Sequence, residues 1–288
     1  MENTGISKEL SSLSNVKTKR KKEQKSNVKY LENKPLAEWK VNAGRFFVFL
    51  IIILFWEAGA RAQIIDPFFW SLPSEILATW MQIILDGTAW RDTFFTFQST
   101  VYGFVIGTVA GAMLGLSFWW SRYYAKVAEP FIIMFESMPK LALAPIIVLI
   151  FGLGMSSKIA MAVAITIVIT TLTTYNGLKR VDSDLIRMIY SLGATRLQVF
   201  TKVVVPWTMP SIISALRINI GLALTGAIVG EYIGSTHGIG RMIFYAGQTY
   251  EIDLIWAGIF NLSLLSMFLY AVVSQIEKFL LAGMLHQK

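Results

Sequence analysis

Six times between residues 45 and 280 the chain returns to an apolar run close to the length that crosses a bilayer: 45–62, 96–120, 128–152, 158–177, 208–232 and 254–280. A helix of about 20 residues, rising ~1.5 Å per residue, spans the ~30 Å hydrocarbon layer. Inside that layer every backbone N–H and C=O must find its partner within the protein, which leaves helices and closed barrels as the only spanning structures. Unbroken apolar runs of this length predict helices, so the fold class is an all-α polytopic membrane protein with six transmembrane helices. Only 15% of residues are charged, where a soluble domain carries about a quarter.

Charge decides how the spans are threaded. Residues 1–45 hold eleven Lys and Arg against five Glu, and most of the net charge of +8 sits there. A run such as KTKRKKEQK could bind nucleic acid, but beside a first span it fits anionic lipid and insertion bias better, so no nucleic-acid partner is expected. The remaining basic loops are 119–129, with Arg122 and Lys126, and 178–205, with Lys179, Arg180, Arg187, Arg196 and Lys202. The loops at 61–95 and 233–253 carry more acidic than basic residues. With six spans, the three basic segments fall on one side, which places both termini in the cytoplasm. RFFVFLIIILFWEAGARAQ has the length of a signal peptide, but a basic region of some 45 residues precedes it and further spans follow, so it reads as an uncleaved first helix. The organisation expected is a basic tail over 1–44, without regular structure, and a membrane domain over 45–288.

Four spans carry internal signals. In the second, Gly103, Gly107, Gly111 and Gly115 recur every four residues and share one helix face, along which another helix can approach to backbone distance. The third contains Pro130, Pro139 and Pro145 together with Glu136 and Lys140. Interior prolines free carbonyls and bend the axis. A carboxylate and an ammonium four residues apart can neutralise each other, either at membrane depth, facing protein or water, or at the interface. In the fifth span Arg217 and Asn219 are the polar residues placed on a cavity side, with interfacial snorkelling the alternative for Arg217. Thr166, Thr170, Thr171, Thr173 and Thr174 of the fourth span are expected to bond their own helix carbonyls.

The usual catalytic signatures are missing. There is no cysteine, and the two histidines, His237 and His286, are far apart, so no zinc constellation or thiol chemistry is expected. GMSSK at Gly154 to Lys158 lacks the spacing of a phosphate loop. His237 lies in STHGIG, whose Gly238 and Gly240 read as a turn after the fifth span. The chain therefore holds no catalytic residues, metal or cofactor of its own in this reading. A stand-alone secondary transporter would show paired repeats with acidic residues at mid-span, and neither is evident.

The loop between the fourth and fifth spans is the informative one. In SDLIRMIYSLGATRLQVFTKVVVPWTMP, Asp182 or Ser183 can cap a helix reaching Leu192, with Leu185, Met188, Ile189 and Leu192 on one face. Gly193 suits the left-handed residue that ends a helix. Thr195 can cap a second short helix, and Pro206 and Pro210 then open the next span. A bare connector needs only a few residues. This one suits a peg for another protein's groove, or an amphipathic helix lying on headgroups.

The same loop resembles the signature of permease subunits of ATP-binding-cassette (ABC) importers: Glu-Ala-Ala, three residues, Gly, nine residues, then Ile-x-Leu-Pro. Here Arg187-Met188-Ile189 take the first three positions, followed by Gly193, Val203-Val204-Val205 and Pro206. Arg187 stands where the family has Glu. SMPKLALAPIIVLIFGLGMSSKIA and PSIISALRINIGLALTGAIVGEYIGSTHGIG are similar to the nitrate, sulfonate and taurine branch, including its acidic residue and Gly-x-Gly turn, here Glu231, Gly238 and Gly240. The resemblance covers roughly residues 90–280. It implies a type I ABC importer permease fold with a cytoplasmic coupling-helix hairpin, in a bacterial plasma membrane. It further implies a partner ATPase dimer carrying ATP and Mg, a second copy of the permease and an extracytoplasmic solute-binding protein. Leu185, Arg187, Met188, Ile189, Leu192, Gly193, Ala194 and Pro206 would form the ATPase-coupling element. Arg217, Asn219, Glu136 and Lys140 would lie along the solute path. The solute expected is a small anion such as a sulfonate, taurine or nitrate. Aromatic acids and pyrimidine or vitamin precursors are the alternatives.

Overall fold

The computed structural model describes residues 38–285. The basic tail expected over 1–44 lies outside the described residues as far as 37, and positions 38–44 already belong to the first helix. In chain order the helices are α1 (Glu38–Arg61), α2 (Pro67–Trp70), α3 (Pro73–Leu85), α4 (Thr88–Ser117), α5 (Arg122–Ser137), α6 (Ala144–Phe151), α7 (Met155–Lys179), α8 (Ser183–Ser191), α9 (Arg196–Val199), α10 (Val205–Ile233), α11 (Ile239–Thr249) and α12 (Ile252–Leu285). Among the described residues there is no strand. The chain divides into a unit ending at Ala58, described only through α1, and a second unit beginning at Gly59.

Five stretches are long and apolar enough to cross a membrane: α1, α4, α7, the continuous run from α9 through α10, and α12. The third expected span is broken instead. α5 and α6 meet at 86°, and count as one span only when taken together. The break has a local cause. Pro139 pushes the residue before it out of the helical region, and Met138 sits at φ −70, ψ 138. A 3₁₀ turn over Lys140–Leu143 follows, and Pro145 then occupies the first turn of α6, where a missing N–H costs nothing.

The centre of the second unit is α7, held between α4 and α10. Gly103, Gly107, Gly111 and Gly115 of α4 all lie against α7, opposite Ala162, Thr166, Thr170 and Thr174. A Cβ added at Gly111 would stand 2.6 Å from the Ile167 carbonyl oxygen, so the helices are at backbone contact there. On its other side α7 receives Gly226 of α10, where a Cβ would lie 2.8 Å from the Ala162 Cα. Without a hydrophobic drive between helices in lipid, such close approach supplies van der Waals contact. Polar side chains add to it: Asn219 of α10 is fully buried and donates to Thr108 of α4 (3.2 Å) and Thr170 of α7 (2.7 Å). α11 and α12 close the side of the bundle through an apolar cluster that includes Ile220, Leu224, Ile243, Leu265 and Leu269.

Candidate functional site

The hairpin at 182–204 is built from short-range rules. The Asp182 carboxylate accepts the N–H of Asp184 at 2.8 Å and starts α8. α8 ends where Gly193 adopts φ +85, with the Gly193 N–H donating to Tyr190 O and the Ala194 N–H to Ile189 O. This pair of bonds satisfies two carbonyls that a helix end leaves open. Thr195 and Gln198 then bond each other's main-chain N–H reciprocally and start α9. The sequence reading separated this second leg from the fifth span. It is instead continuous with it: α9 passes through one wide turn over Phe200–Val204, in which the Val205 N–H reaches back to Phe200 O, and runs on as α10 to Ile233. The wide turn sits where Pro206 removes a donor from the ladder, so the proline is accommodated without breaking the helix. Pro210 likewise lies inside α10.

Contacts brace this end of the bundle. The Arg196 guanidinium donates to the carbonyls of Trp119 and Trp120 and stacks over the Trp120 ring at 5.3 Å. Lys179, the last residue of α7, pairs with Glu129 of α5 at 2.6 Å. The outer face of the hairpin has no such cover. Met188 is 53% exposed, Leu192 77% and Leu197 59%. Leu185, Ile189 and Ala194 are half-buried, and Pro206 is exposed in the first turn of α10. Arg187 faces Asp184 at 3.5 Å with both side chains in solvent, a contact of little energetic weight.

The residues expected along the solute path are not gathered in one place. Asn219 is sealed among α4, α7 and α10. Arg217 approaches Glu277 of α12 at 2.7 Å, a charge contact rather than an aligned hydrogen bond, and its guanidinium lies 5.7 Å from the Tyr270 ring. The Lys140 ammonium donates to the main-chain oxygen of Glu136 at 2.8 Å, closing the carbonyl end of α5 instead of meeting the carboxylate. Of the fourth-span threonines, Thr166, Thr170 and Thr171 bond carbonyls of their own helix at 2.7–2.8 Å. Among the described residues, Thr174 is buried without a partner and Thr173 makes no side-chain hydrogen bond.

At the end of the bundle away from the hairpin lies a buried polar knot that the sequence reading assembled only in part. Glu231, near the end of α10, accepts the Gly240 N–H at 2.8 Å and lies 2.9 Å from the Thr96 hydroxyl of α4. The Ile239 N–H donates to that hydroxyl at 3.0 Å, and the Gly238 N–H donates to Asp92 at 3.2 Å. Lys158, in the first turn of α7 and fully buried, donates to the carbonyls of Leu153 (2.8 Å) and Gly234 and to the Ser157 hydroxyl (3.2 Å). Gly238 holds φ +118 with the Glu231 carboxyl group against it, and a Cβ at Gly240 would stand 2.9 Å from that carboxyl. Polar and ionisable groups at such burial are tolerated when each is hydrogen-bonded on most sides. The knot fastens the ends of α4, α7 and α10 to the turn that leads into α11. Asp92, Thr96 and Lys158 escaped the sequence reading. The available signal was that the start of one span and the end of the next lie at the same membrane face, so Lys158 and Glu231 are neighbours by topology.

Residues 103–284 match the family described as the binding-protein-dependent transport system inner membrane component. The chain belongs to this family. Among its curated relatives in the family, the formylaminopyrimidine transport permease ThiX of Halalkalibacterium halodurans is 34% identical over 81% of this chain and 92% of its own length. The riboflavin transport permease RibX of Chloroflexus aurantiacus is 28% identical over 80% of this chain and 86% of its own. The taurine transport permease TauC of Escherichia coli K12 is 27% identical over 76% and 82%. Among solved structures, the inward-facing MetNI methionine ABC transporter aligns with a TM-score of 0.55 at 21% identity, over 69% of this chain and 96% of that one. An alginate importer aligns with a TM-score of 0.58 at 16% identity, over 83% and 98%. The fold is that of a type I ABC importer permease, and this chain is an ABC importer permease, a membrane protein of five to six apolar helices.

Proposed function

We infer that this permease forms the translocation path for a small solute and is driven by a separate ATPase that grips the hairpin. One observation carries the reading: the apolar side chains of Met188, Leu192 and Leu197 stand uncovered on a hairpin whose first leg follows α7 after a short turn and whose second leg runs on into α10. Exposed apolar side chains grouped on a rigid element fit a groove on another protein. The ATPase dimer carries ATP and Mg. Its closure moves the hairpin, and α7 and α10 move with it between two packings close in energy. The permease chain itself is non-catalytic. Hairpin and both termini face the cytoplasm, a second copy completes the path, and a solute-binding protein delivers at the far end, near the Glu231 knot.

The solute read from the sequence resemblance is a small anion of the sulfonate, taurine or nitrate class. A second reading is favoured by the relatives' names: those at 34% and 28% identity are named for formylaminopyrimidine and riboflavin, which points to a pyrimidine or vitamin precursor. Along the path, Glu136 is exposed and Lys140 half-buried, so they remain candidates. Arg217 acts as a charge paired to Glu277. Co-purification from membranes tests the reading. A cytoplasmic ATPase is expected with the native chain and is expected to be lost when residues 183–195 are replaced by a short glycine-serine linker. Retention of the ATPase by the linker variant, or uptake by proteoliposomes holding this chain alone, overturns it.

A further inference from the structure

A hollow of about 420 Å³ opens between α7 and α10 in the half of the bundle that carries the hairpin. Its walls are polar. Thr173, Asn176 and Arg180 follow one another along a face of α7 and its end, at helical spacing, and Ser211 and Ser214 face them from α10. Ile169 and Ile218 line it farther from the hairpin. None of these five polar side chains makes a hydrogen bond or ion pair within the described residues, although other polar groups of the same two helices do: Thr166, Thr170, Thr171 and Thr208 bond carbonyls, Asn219 bonds two hydroxyls, and Lys179 pairs with Glu129. The floor is fixed, since a Cβ at Gly177 would come within 3.0 Å of Ser211 and Thr208.

Unpartnered polar groups on membrane helices do not face lipid. They face water or another polar surface. The charge is equally telling. Arg217, the arginine on the neighbouring turns of α10, is neutralised by Glu277, whereas Arg180 has no acidic partner among the described residues. A guanidinium with hydroxyl and amide donors beside it is matched by an oxyanion or carboxylate head. We propose that this hollow takes up the transported solute on the hairpin side of the membrane and selects small anions there, Arg180 supplying the charge and Thr173, Asn176, Ser211 and Ser214 the hydrogen bonds. The assignment rests on the permease reading and decides between its two solute classes.

The native chain has no cysteine, so single thiols report on the hollow without background. Asn176→Cys and Ser214→Cys are made in the complete transporter with its ATPase, reconstituted in vesicles free of anionic lipid. Each is treated with anionic sulfonatoethyl methanethiosulfonate and with cationic trimethylammonioethyl methanethiosulfonate, and rates are divided by those of a small free thiol. The expected result is modification of both positions, about tenfold faster with the anionic reagent, as one unpaired cation a few ångströms away imposes. That preference should vanish in the Arg180→Gln background and the rates should change when the ATPase is arrested with nucleotide and vanadate. Thiols that resist both reagents in every nucleotide state show the hollow filled by a helix of the second copy and overturn the proposal. So does equal reaction with the two reagents, or a preference that survives Arg180→Gln. Solute-stimulated ATP hydrolysis, measured in the same vesicles, separates the two claims: its presence with unreactive thiols rejects the hollow alone, and its absence in the native complex rejects the ATPase-driven transport proposed above.

Discussion

At Gly240 one methyl group is enough to disturb the far end of the bundle. The Gly240 N–H donates to Glu231 at 2.8 Å, and a Cβ would meet both that carboxyl oxygen and the Ile228 carbonyl at 2.9 Å. Gly240→Ala therefore pushes the turn off Glu231 and strips a hydrogen bond from a group that is 1% exposed, a cost of about 1–3 kcal/mol. The expected outcome is a lower melting temperature of the detergent-purified complex. Thr96→Val should act in the same direction because the hydroxyl joins Glu231 to the Ile239 N–H, while Thr96→Ser, which keeps the hydroxyl, should stay near the native value. A Gly240→Ala complex that melts with the native one would show the turn free to yield. The sequence displays the glycine pair as a turn but not what it turns around. Thr96 and Asp92 come from a helix more than 130 residues earlier, and Lys158 looks like part of a failed phosphate loop until the fold carries it to the end of α10. Arg217 is the same case, its charge answered by Glu277 sixty residues on.

Among the elements, the hairpin is the most local in its causes. The bonds that cap its legs, Asp182 to Asp184, Ala194 to Ile189 and Thr195 with Gln198, all lie within five residues, so residue type and spacing suffice to find them. What spacing does not disclose is the join to α10, because Pro206 and Pro210 read as a helix start while a single wide turn lets the helix run through. The third span shows the opposite: three prolines announce a break, and α5 and α6 bend by 86°. Continuity from α9 to α10 leaves the short turn through Gly193 as the break between α8 and the membrane leg. Open space surrounds it, so only its φ of +85 resists substitution. A β-branched residue there costs roughly 1–3 kcal/mol of backbone strain. Gly193→Val is expected to leave the amount of protein in the membrane unchanged and to reduce solute uptake several-fold, with ATP hydrolysis no longer answering to solute. Gly193→Asn, which tolerates the left-handed region, should restore coupling. Native uptake rates by the Val variant would free the hairpin from the lever role.

On the scale of the whole molecule, the two ends of the bundle differ in charge. Arg196 bonds the turn after α4, Lys179 pairs with α5, and Arg180, Arg187 and Lys202 share that end, so the basic loops counted along the sequence converge in space. The opposite end collects Asp92, Glu231 and Asp253, the last bonded to Ser71 across the two acidic loops. Lys and Arg near the ends of spans are retained on the cytoplasmic side during insertion, so the hairpin end is the end expected to face the cytoplasm. It predicts opposite labelling of two exposed positions: Leu192→Cys at the hairpin tip and Thr236→Cys in the turn before Gly238. In intact spheroplasts a membrane-impermeant maleimide should reach Thr236→Cys and leave Leu192→Cys untouched, and in inside-out vesicles the pattern should invert. Leu192→Cys should also lose reactivity when the cytoplasmic ATPase is present, because docking covers the side chain, and regain it when the ATPase is stripped. Labelling of Leu192→Cys from the outside would place the hairpin beyond the reach of any cytoplasmic motor. The apolar face on α8 would then need a partner at the cell surface, and the energy for transport would have to enter the molecule through the other end.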